Sequence, residues 1–195
     1  MDPKIKKTID DWRWLLKRQE LASVTEWWSK SLPVNENFFK KHSLLAIGNK
    51  RLSEKIKKFL IQARIPQHFF DGLNQIKVEP LLYSSQGKKL RGCYRPVSRR
   101  IILSYDLRDD DVQLQKTLYH ELGHHCSDQL NLEIPGAAKM FEKLKAYFPV
   151  AFRSQAEFFA QLFSMAFAQG EEKDALEFLF DVKITPNIFK VKKKV

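Results

Sequence analysis

The chain has 195 residues, of which 44% are hydrophobic and 12% aromatic, and this globular composition excludes wholesale disorder. No stretch reaches the length of a membrane span, and no apolar run follows the basic start, so we expect neither a membrane protein nor a secretory signal. The net charge of +11 admits a nucleic-acid partner, but Lys and Arg spread along the chain are more typical of a solvated surface.

The first third of the chain has the pattern of helices. Residues 4–32 and 53–63 carry apolar side chains near helical spacing, and residues 36–48 suit a shorter helix that Gly48 would end. Pro33 separates the segments 4–32 and 36–48, because a proline inside a helix removes a hydrogen bond. The sequence therefore predicts a helical region at the N-terminal end.

The character of the sequence changes near residue 76. Residues 76–84, 90–95 and 100–105 are short segments rich in β-branched and aromatic side chains. Turn-forming residues separate them at 84–87 and at 96–98. This pattern predicts a small antiparallel sheet.

Helical patterns return after the predicted sheet. Three aspartates at 109–111 suit a helix N-terminus, because carboxylates accept hydrogen bonds from the free N–H groups there. The helix that they open is predicted to end at about Asp128. Further helices are predicted at 136–147, 153–169 and 171–181.

A pair of histidines stands in the first of these helices. In His120-Glu121-Leu122-Gly123-His124 the histidines are four residues apart, which places both rings on one helix face, one turn apart. Zinc binds imidazole nitrogens well, and Glu121, about a quarter turn round, can reach a water on the metal without displacing it. The pattern predicts a catalytic zinc site with Glu121 as the general base.

An amphipathic helix with exposed histidines would show the same spacing. Three of the five histidines of the chain fall within six residues, which favours the metal site over that alternative. His125 is off the metal-binding face, so we interpret it as supporting a ligand or facing solvent. His42 and His68 lie far upstream and are interpreted as ordinary surface or core residues.

A catalytic zinc needs a third protein ligand and one open coordination position. No histidine follows His125, and position 130, where an extended zinc-protease motif has its third histidine, is Leu130. Glu157 is the best candidate, because its segment is apolar on nearly every side and a buried carboxylate needs a partner. An ion pair of Glu157 with Arg153, four residues earlier, is the alternative.

Three other carboxylates are weaker candidates for the third ligand. Glu133 lies in a predicted loop, and Glu142 lies on an amphipathic helix. Asp128, one turn after His124, could bind the metal, orient a ligating histidine or simply end the helix.

These motifs resemble those of a known family. His120-Glu121-x-x-His124 followed by Glu157-Phe158-Phe159-Ala160 is similar to the pattern of the gluzincin metallopeptidases, and residues 92–103 resemble their edge-strand segment. Within that family, residues 119–124 and 156–160 look most like the anthrax lethal factor-like catalytic domains.

The resemblance covers about residues 76–170 and implies a zinc ion bound by His120, His124 and Glu157, with Glu121 as the base. It also implies helices packed on a small twisted sheet.

In the same family a tyrosine a turn or two before the glutamate ligand stabilises the oxyanion. The nearest tyrosine here is Tyr147, ten residues before Glu157 and ahead of Pro149, which departs from the family spacing. Arg153 is the alternative for this role.

We therefore expect an α+β fold, mostly helical, with a small twisted antiparallel sheet packed on the zinc-binding helices. Residues 1–74 are predicted to form an N-terminal helical region. Residues 75–195 are predicted to form a zincin-like catalytic domain with a basic C-terminal tail.

The predicted function is that of a zinc metalloendopeptidase, which hydrolyses peptide bonds with a metal-activated water and Glu121 as general base. One alternative is a nucleic-acid-associated protease of the SprT-like kind, which the net charge of +11 motivates. Those proteases use a third histidine, and this chain lacks one after His125. The other alternative is an inactive module that binds zinc or a partner. We expect a protein or peptide substrate, with nucleic acid as the less favoured partner.

Two cysteines, Cys93 and Cys126, do not make a disulfide framework. A reducing compartment is the simpler inference. We expect a cytoplasmic location, with secretion by another route left open.

Overall fold

The computed structural model describes residues 32–130, 132–133, 141–142, 154–168 and 190–191, and only the backbone at 132–133 and 190–191. The helices predicted at 4–32 and 171–181 and the basic tail after residue 191 lie outside the described residues. The helix predicted at 136–147 is described only at its central pair, which is helical.

The described part of the chain contains helices and two sheets. The helices are α1 (Glu36–His42), α2 (Lys50–Gln62), α3 (Asp111–Gln129) and α4 (Gln155–Phe167), with 3-10 turns at Gln67–Phe70 and Tyr105–Asp109. The strands are β1 (Leu45–Ala46), β2 (Gln75–Glu79), β3 (Gly92–Arg95), β4 (Arg100–Ser104), β5 (Leu132–Glu133) and β6 (Lys190–Val191). None of the described helices is both long and apolar enough to cross a membrane.

Each of these α-helices begins at a polar side chain that accepts a hydrogen bond from a free backbone N–H group. The four capping residues are Asn35, Asn49, Asp110 and Ser154. The middle aspartate of the predicted run 109–111 is therefore the cap of α3. The predicted ends of α3 and α4 are confirmed to within about two residues.

One predicted helix is shorter than expected. The segment 36–48 is helical only to His42, because Ser43 adopts a left-handed backbone conformation, with a φ of 45°, and ends α1. The chain then forms β1, which the sequence did not predict.

The larger sheet has the strand order β1-β2-β4-β3. β3 pairs antiparallel with β4, but β2 pairs parallel with both β1 and β4. The α+β class is confirmed, whereas the purely antiparallel pairing was wrong. A parallel pair needs a long crossover connection, and the chain from β2 through β3 to β4 provides one. β2 therefore pairs with β4, and β3 lies at the edge of the sheet.

That connection is itself a small hairpin. The Leu90 N–H donates to the Leu82 carbonyl at 2.8 Å, and Gly87, with a φ of 73°, donates to the Ser84 carbonyl at 2.9 Å. The turn predicted at 84–87 is confirmed. Glycine is needed at position 87 because its φ is positive.

A single hydrophobic cluster joins the described residues on both sides of residue 74. The ring centroids of Phe69 and Phe163 lie 5.5 Å apart, and both side chains are completely buried. β1, from the earlier segment, also extends the larger sheet. The described segment before residue 74 therefore contributes to the same core as α4. The boundary between residues 1–74 and 75–195 stays a prediction.

A buried hydroxyl links α3 to α2. The Tyr119 hydroxyl donates to the Phe59 carbonyl at 2.9 Å, and Tyr119 is 2% exposed. We expect Tyr119→Phe to lower the free energy of unfolding by about 1 kcal/mol, because a buried hydrogen bond is lost while the Phe59 carbonyl keeps the Ala63 N–H at 3.0 Å. Urea denaturation would measure the change. Tyr83→Phe is the control, since Tyr83 is 55% exposed; an equal loss in the two variants would contradict the expectation.

Candidate metal centre

Two histidine rings on α3 face one another. The Nε2 atoms of His120 and His124 are 3.2 Å apart, and the ring planes are nearly perpendicular, at 85°. Both side chains are partly buried, at 21% and 19% exposure. The four-residue spacing thus places both rings on one helix face, as the sequence predicted.

A carboxylate from α4 completes the cluster. Glu157 Oε2 is 3.3 Å from His120 Nε2, and Glu157 Oε1 is 3.5 Å from His124 Nε2. The Ser154 hydroxyl fixes the start of α4, because it accepts a hydrogen bond from the Glu157 N–H at 3.1 Å. The residues that the sequence indicated as metal ligands therefore lie together. The expectation that the Glu157 carboxylate is buried was wrong, because it lines an open cavity and its side chain is 45% exposed.

The two helices meet closely beside this cluster. A Cβ atom placed on Gly123 would lie 2.9 Å from Ala160 Cα and 2.9 Å from Phe163 Cβ. Such a distance is below normal van der Waals contact, so only glycine permits this approach. Gly123 precedes His124 and Ala160 follows Glu157 by three residues. The contact therefore sets the separation of the ligand groups.

The cluster fits a tetrahedral metal ion. A zinc ion about 2.0–2.1 Å from each nitrogen or oxygen would hold the donor atoms about 3.3 Å apart. The two Nε2 atoms are 3.2 Å apart, Glu157 Oε2 is 3.3 Å from His120 Nε2, and Glu157 Oε1 is 3.5 Å from His124 Nε2, so a different carboxylate oxygen lies nearest each ring. These residues could therefore hold a metal ion once the carboxylate turns to present one oxygen to it.

The charges around the cluster also call for a cation. Burial lowers the pKa of His120, but the Glu157 hydrogen bond and the charges of Glu121 and Glu157 outweigh it, and the net shift is upward. The hydrogen bonds from His120 and His124 hold the pKa of Glu157 well below its ordinary value. The first shift means that the site favours positive charge at His120, and the second means that Glu157 stays a carboxylate; a metal cation bound by these groups would supply that positive charge.

Glu121 lies beside the cluster but is not part of it. Its side chain is buried, with 7% exposure, and burial raises the pKa of its carboxyl group. The neighbouring histidines and a hydrogen bond from the Tyr94 backbone N–H act against that rise in pKa. A buried carboxylate of raised basicity suits proton transfer.

Two contacts that the sequence did not indicate support these residues. A Cβ atom on Gly92 would lie 3.2 Å from Glu121 Oε1 and 2.6 Å from Thr117 Cγ2, so β3 packs tightly on α3. A lone glycine within a strand pattern is the signal that could have indicated this approach. Gln161, one turn after Glu157, accepts a hydrogen bond from the His120 ring. Such a bond fixes the orientation of a ligating histidine.

The cluster opens into a cavity of about 1050 Å³ between β3, α3 and α4. Along β3 and its flanks it is lined by Leu90, Gly92, Cys93, Tyr94 and Pro96. Its remaining lining comes from the two helices and includes Ser127, Asp128, Ala156 and Gln161 beside the clustered groups. The cavity is large enough for a ligand of several residues.

His125 is not solvent-facing; that alternative was wrong. It is completely buried, with Nε2 3.2 Å from the Asp71 carbonyl oxygen and Nδ1 3.4 Å from the Tyr94 hydroxyl. A carbonyl only accepts, so Nε2 carries the proton and Nδ1 is an acceptor. Burial lowers the pKa of His125 to about 4, which keeps the ring neutral.

Asp128 lies outside the ligand cluster, although it lines the cavity. Its Oδ2 accepts hydrogen bonds from the Tyr94 hydroxyl at 3.1 Å and from the Gln129 amide at 2.6 Å. Among the three roles considered for Asp128, that of a ligand is not favoured, because Asp128 is not in the possible metal-binding group, and its hydrogen bonds go to Tyr94 and Gln129 rather than to His120 or His124. It instead joins the end of α3 to β3.

The remaining candidates are not in the described metal-binding group. His42 is exposed and lies against the Phe38 ring, and His68 lies against Phe69. Glu142 is exposed and is not part of that group. The side chains of Glu133, Tyr147 and Arg153 lie outside the described residues.

In comparisons with known proteins, neither a family model nor a curated protein matches this chain. Statements about its function therefore depend on the chemistry of the site.

Proposed function

We propose that this chain is a zinc-dependent metalloendopeptidase, similar in its site to the gluzincins and most like their anthrax lethal factor-like members. One observation supports this above all. Two imidazole nitrogens lie 3.2 Å apart, and each lies within 3.5 Å of an oxygen of the Glu157 carboxylate, with the buried Glu121 carboxyl beside them.

The donor set favours zinc among the common metals. Two neutral imidazoles with one carboxylate suit zinc, whereas magnesium and calcium prefer oxygen donors. His120, His124 and Glu157 would supply three ligands and leave a fourth position open, as catalytic zinc sites require.

When bound, zinc supplies Lewis acidity toward a carbonyl group and lowers the pKa of water. Glu121 would accept the proton of the attacking water and pass it to the leaving amine. Its burial keeps bulk water away from that proton, and the Tyr94 N–H orients the carboxylate. Gln161 and Glu157 hold the His120 ring in place.

The exposed edge of β3 offers a place for an extended peptide. The Arg91 carbonyl accepts from the Ser104 N–H at 2.7 Å, so Cys93 and Arg95 face β4 in the alternating antiparallel ladder. The backbone groups of Gly92 and Tyr94 then face away from β4, beside the cavity, where the Tyr94 N–H already donates to the Glu121 carboxylate and the other groups are left for a ligand. A substrate strand could add to this edge, which is a common mode of peptide binding.

The charge of the cavity bears on the nucleic-acid alternative. No lysine or arginine is among its lining residues within the described chain, whereas Glu121, Asp128 and Glu157 all are. A phosphate backbone needs positive charge where it binds. Within the described residues the lining of this cavity is therefore acidic, which does not favour a nucleic-acid substrate there.

The metal content of purified protein tests the proposal. We expect about one zinc per chain, cleavage of a mixed peptide library, loss of cleavage with a chelator and recovery with added zinc. Glu157→Ala should lose zinc and cleavage together, because two histidines alone bind the metal weakly.

Glu142→Ala is the matched control, since Glu142 is an exposed carboxylate outside the ligand cluster. Zinc and activity that survive in Glu157→Ala would exclude Glu157 as the third ligand. A fully loaded chain that cleaves no peptide would instead favour an inactive zinc-binding or partner-binding module.

A further inference from the structure

β3 and α3 are pressed together where the proposed base lies. At Gly92 no side chain fits between them, because an added Cβ would contact Glu121 Cγ at 3.1 Å and its Oε1 at 3.2 Å. A small movement of β3 would therefore move the carboxylate or release it. β3 is an edge strand, so within the larger sheet only β4 holds it by backbone hydrogen bonds.

Tyr94, on the same face of β3 as Gly92, holds the strand to a later part of α3. Its hydroxyl lies 3.1 Å from Asp128 Oδ2 and 3.4 Å from His125 Nδ1, and both partners belong to α3. The His125 ring is held in turn by its hydrogen bond to the Asp71 carbonyl, so its orientation is fixed. His125 Nδ1 and the Asp128 carboxylate both accept hydrogen bonds. The Tyr94 hydroxyl, which has one proton, is the donor to both of them.

We propose that Tyr94, held by Asp128 and His125, is a positioning residue that fixes β3 and the Glu121 carboxylate relative to one another. This proposal rests on the peptidase function proposed above. Tyr94 contacts α3 at two places. Its hydroxyl bonds to Asp128 near the end of the helix, and its backbone lies beside Glu121, nearly two turns earlier. Loss of the hydroxyl would loosen β3 without unfolding it, and the position of the Glu121 carboxylate would be less well fixed.

Tyr94→Phe tests this role, because it removes the hydroxyl and keeps the ring. We expect kcat to fall about tenfold with little change in KM, as supporting contacts of catalytic groups typically show. Zinc content should stay at the wild-type level, since the ligands are untouched. Asp128→Ala should behave like Tyr94→Phe, whereas Asp128→Asn keeps an acceptor oxygen and should recover most of the lost kcat.

A second readout needs neither zinc nor activity. In the metal-free protein, hydrogen exchange of the Tyr94 amide should be faster in Tyr94→Phe than in the wild type, because this N–H faces the carboxylate. Tyr119→Phe is the matched control. It removes a hydroxyl from α3 that bonds to Phe59, away from β3. It should lower stability but leave kcat and the Tyr94 amide unchanged.

The outcomes separate the two proposals. Wild-type kcat together with wild-type exchange in Tyr94→Phe would overturn the positioning role. Equal effects of Tyr94→Phe and Tyr119→Phe on both readouts would also overturn it, since general stability would then be the cause. If the wild-type chain cleaves no peptide but exchange at Tyr94 still rises, the peptidase function fails and the link between Tyr94 and Glu121 stands.

Discussion

Glu121→Gln is expected to lower kcat by about 10³-fold and to leave the zinc content unchanged. Glutamine has nearly the same size and shape as glutamate, but its amide cannot accept the proton of the attacking water. The carboxylate of Glu121 is not one of the three clustered ligand groups, so its replacement removes no metal contact. Because Glu121 is buried, no exposed carboxylate can easily replace it.

Metal analysis and peptide cleavage on the same preparation would measure both effects. Glu54→Gln is the control, because this change removes an equivalent charge at an exposed carboxylate on α2 that pairs with Lys57. Activity within a factor of about two of the wild type in Glu121→Gln would contradict the role of Glu121 as base. Loss of zinc in that variant would instead indicate that Glu121 contributes to metal binding.

Gly123→Ala is expected to weaken zinc binding and to lower the free energy of unfolding by about 1–3 kcal/mol. The added methyl group would lie 2.9 Å from the Ala160 Cα, which is backbone and cannot turn aside. α3 and α4 would have to separate, and their separation sets the distance from Glu157 to the histidines. A single methyl group at the contact between α3 and α4 would thus act on the proposed metal site.

Zinc titration and urea denaturation of the metal-free protein would separate the two effects of Gly123→Ala. The matched control is Gly48→Ala, because a Cβ atom at Gly48 would meet nothing within 4 Å. Zinc affinity and stability both equal to those of the wild type would show that the helices adjust without disturbing the ligands.

The sequence predicted the part of the site that depends on a single helix. His120, Glu121 and His124 have relative positions that helical spacing determines, and α3 forms from Asp111, as its aspartate cap indicated. The position of Glu157 followed from a weaker inference, that a carboxylate in an apolar segment needs a partner. Both inferences use only the local sequence pattern, so they could be made without knowing the fold.

The features that the sequence missed depend on contacts between distant segments. The parallel pairing of β2 with β4, and the strand β1, follow from how a long connection is routed, which short-range alternation does not encode. The buried position of His125 depends on Tyr94 and Asp71, which come from elsewhere in the chain. Helical spacing alone gave only that His125 points away from the metal face.

The proposed ligands come from two helices, and this division links metal supply to folding. His120 and His124 lie within one turn of α3, whereas Glu157 is contributed by α4, a separate and later helix. An ion held by all three would cross-link the helices and bind the unfolded chain far less well. Free zinc at 100 times its dissociation constant would then add about 2.7 kcal/mol to stability. The melting temperature and the protease resistance of the chain would follow the zinc level around it, so the cofactor would act as a folding ligand before it takes part in any reaction.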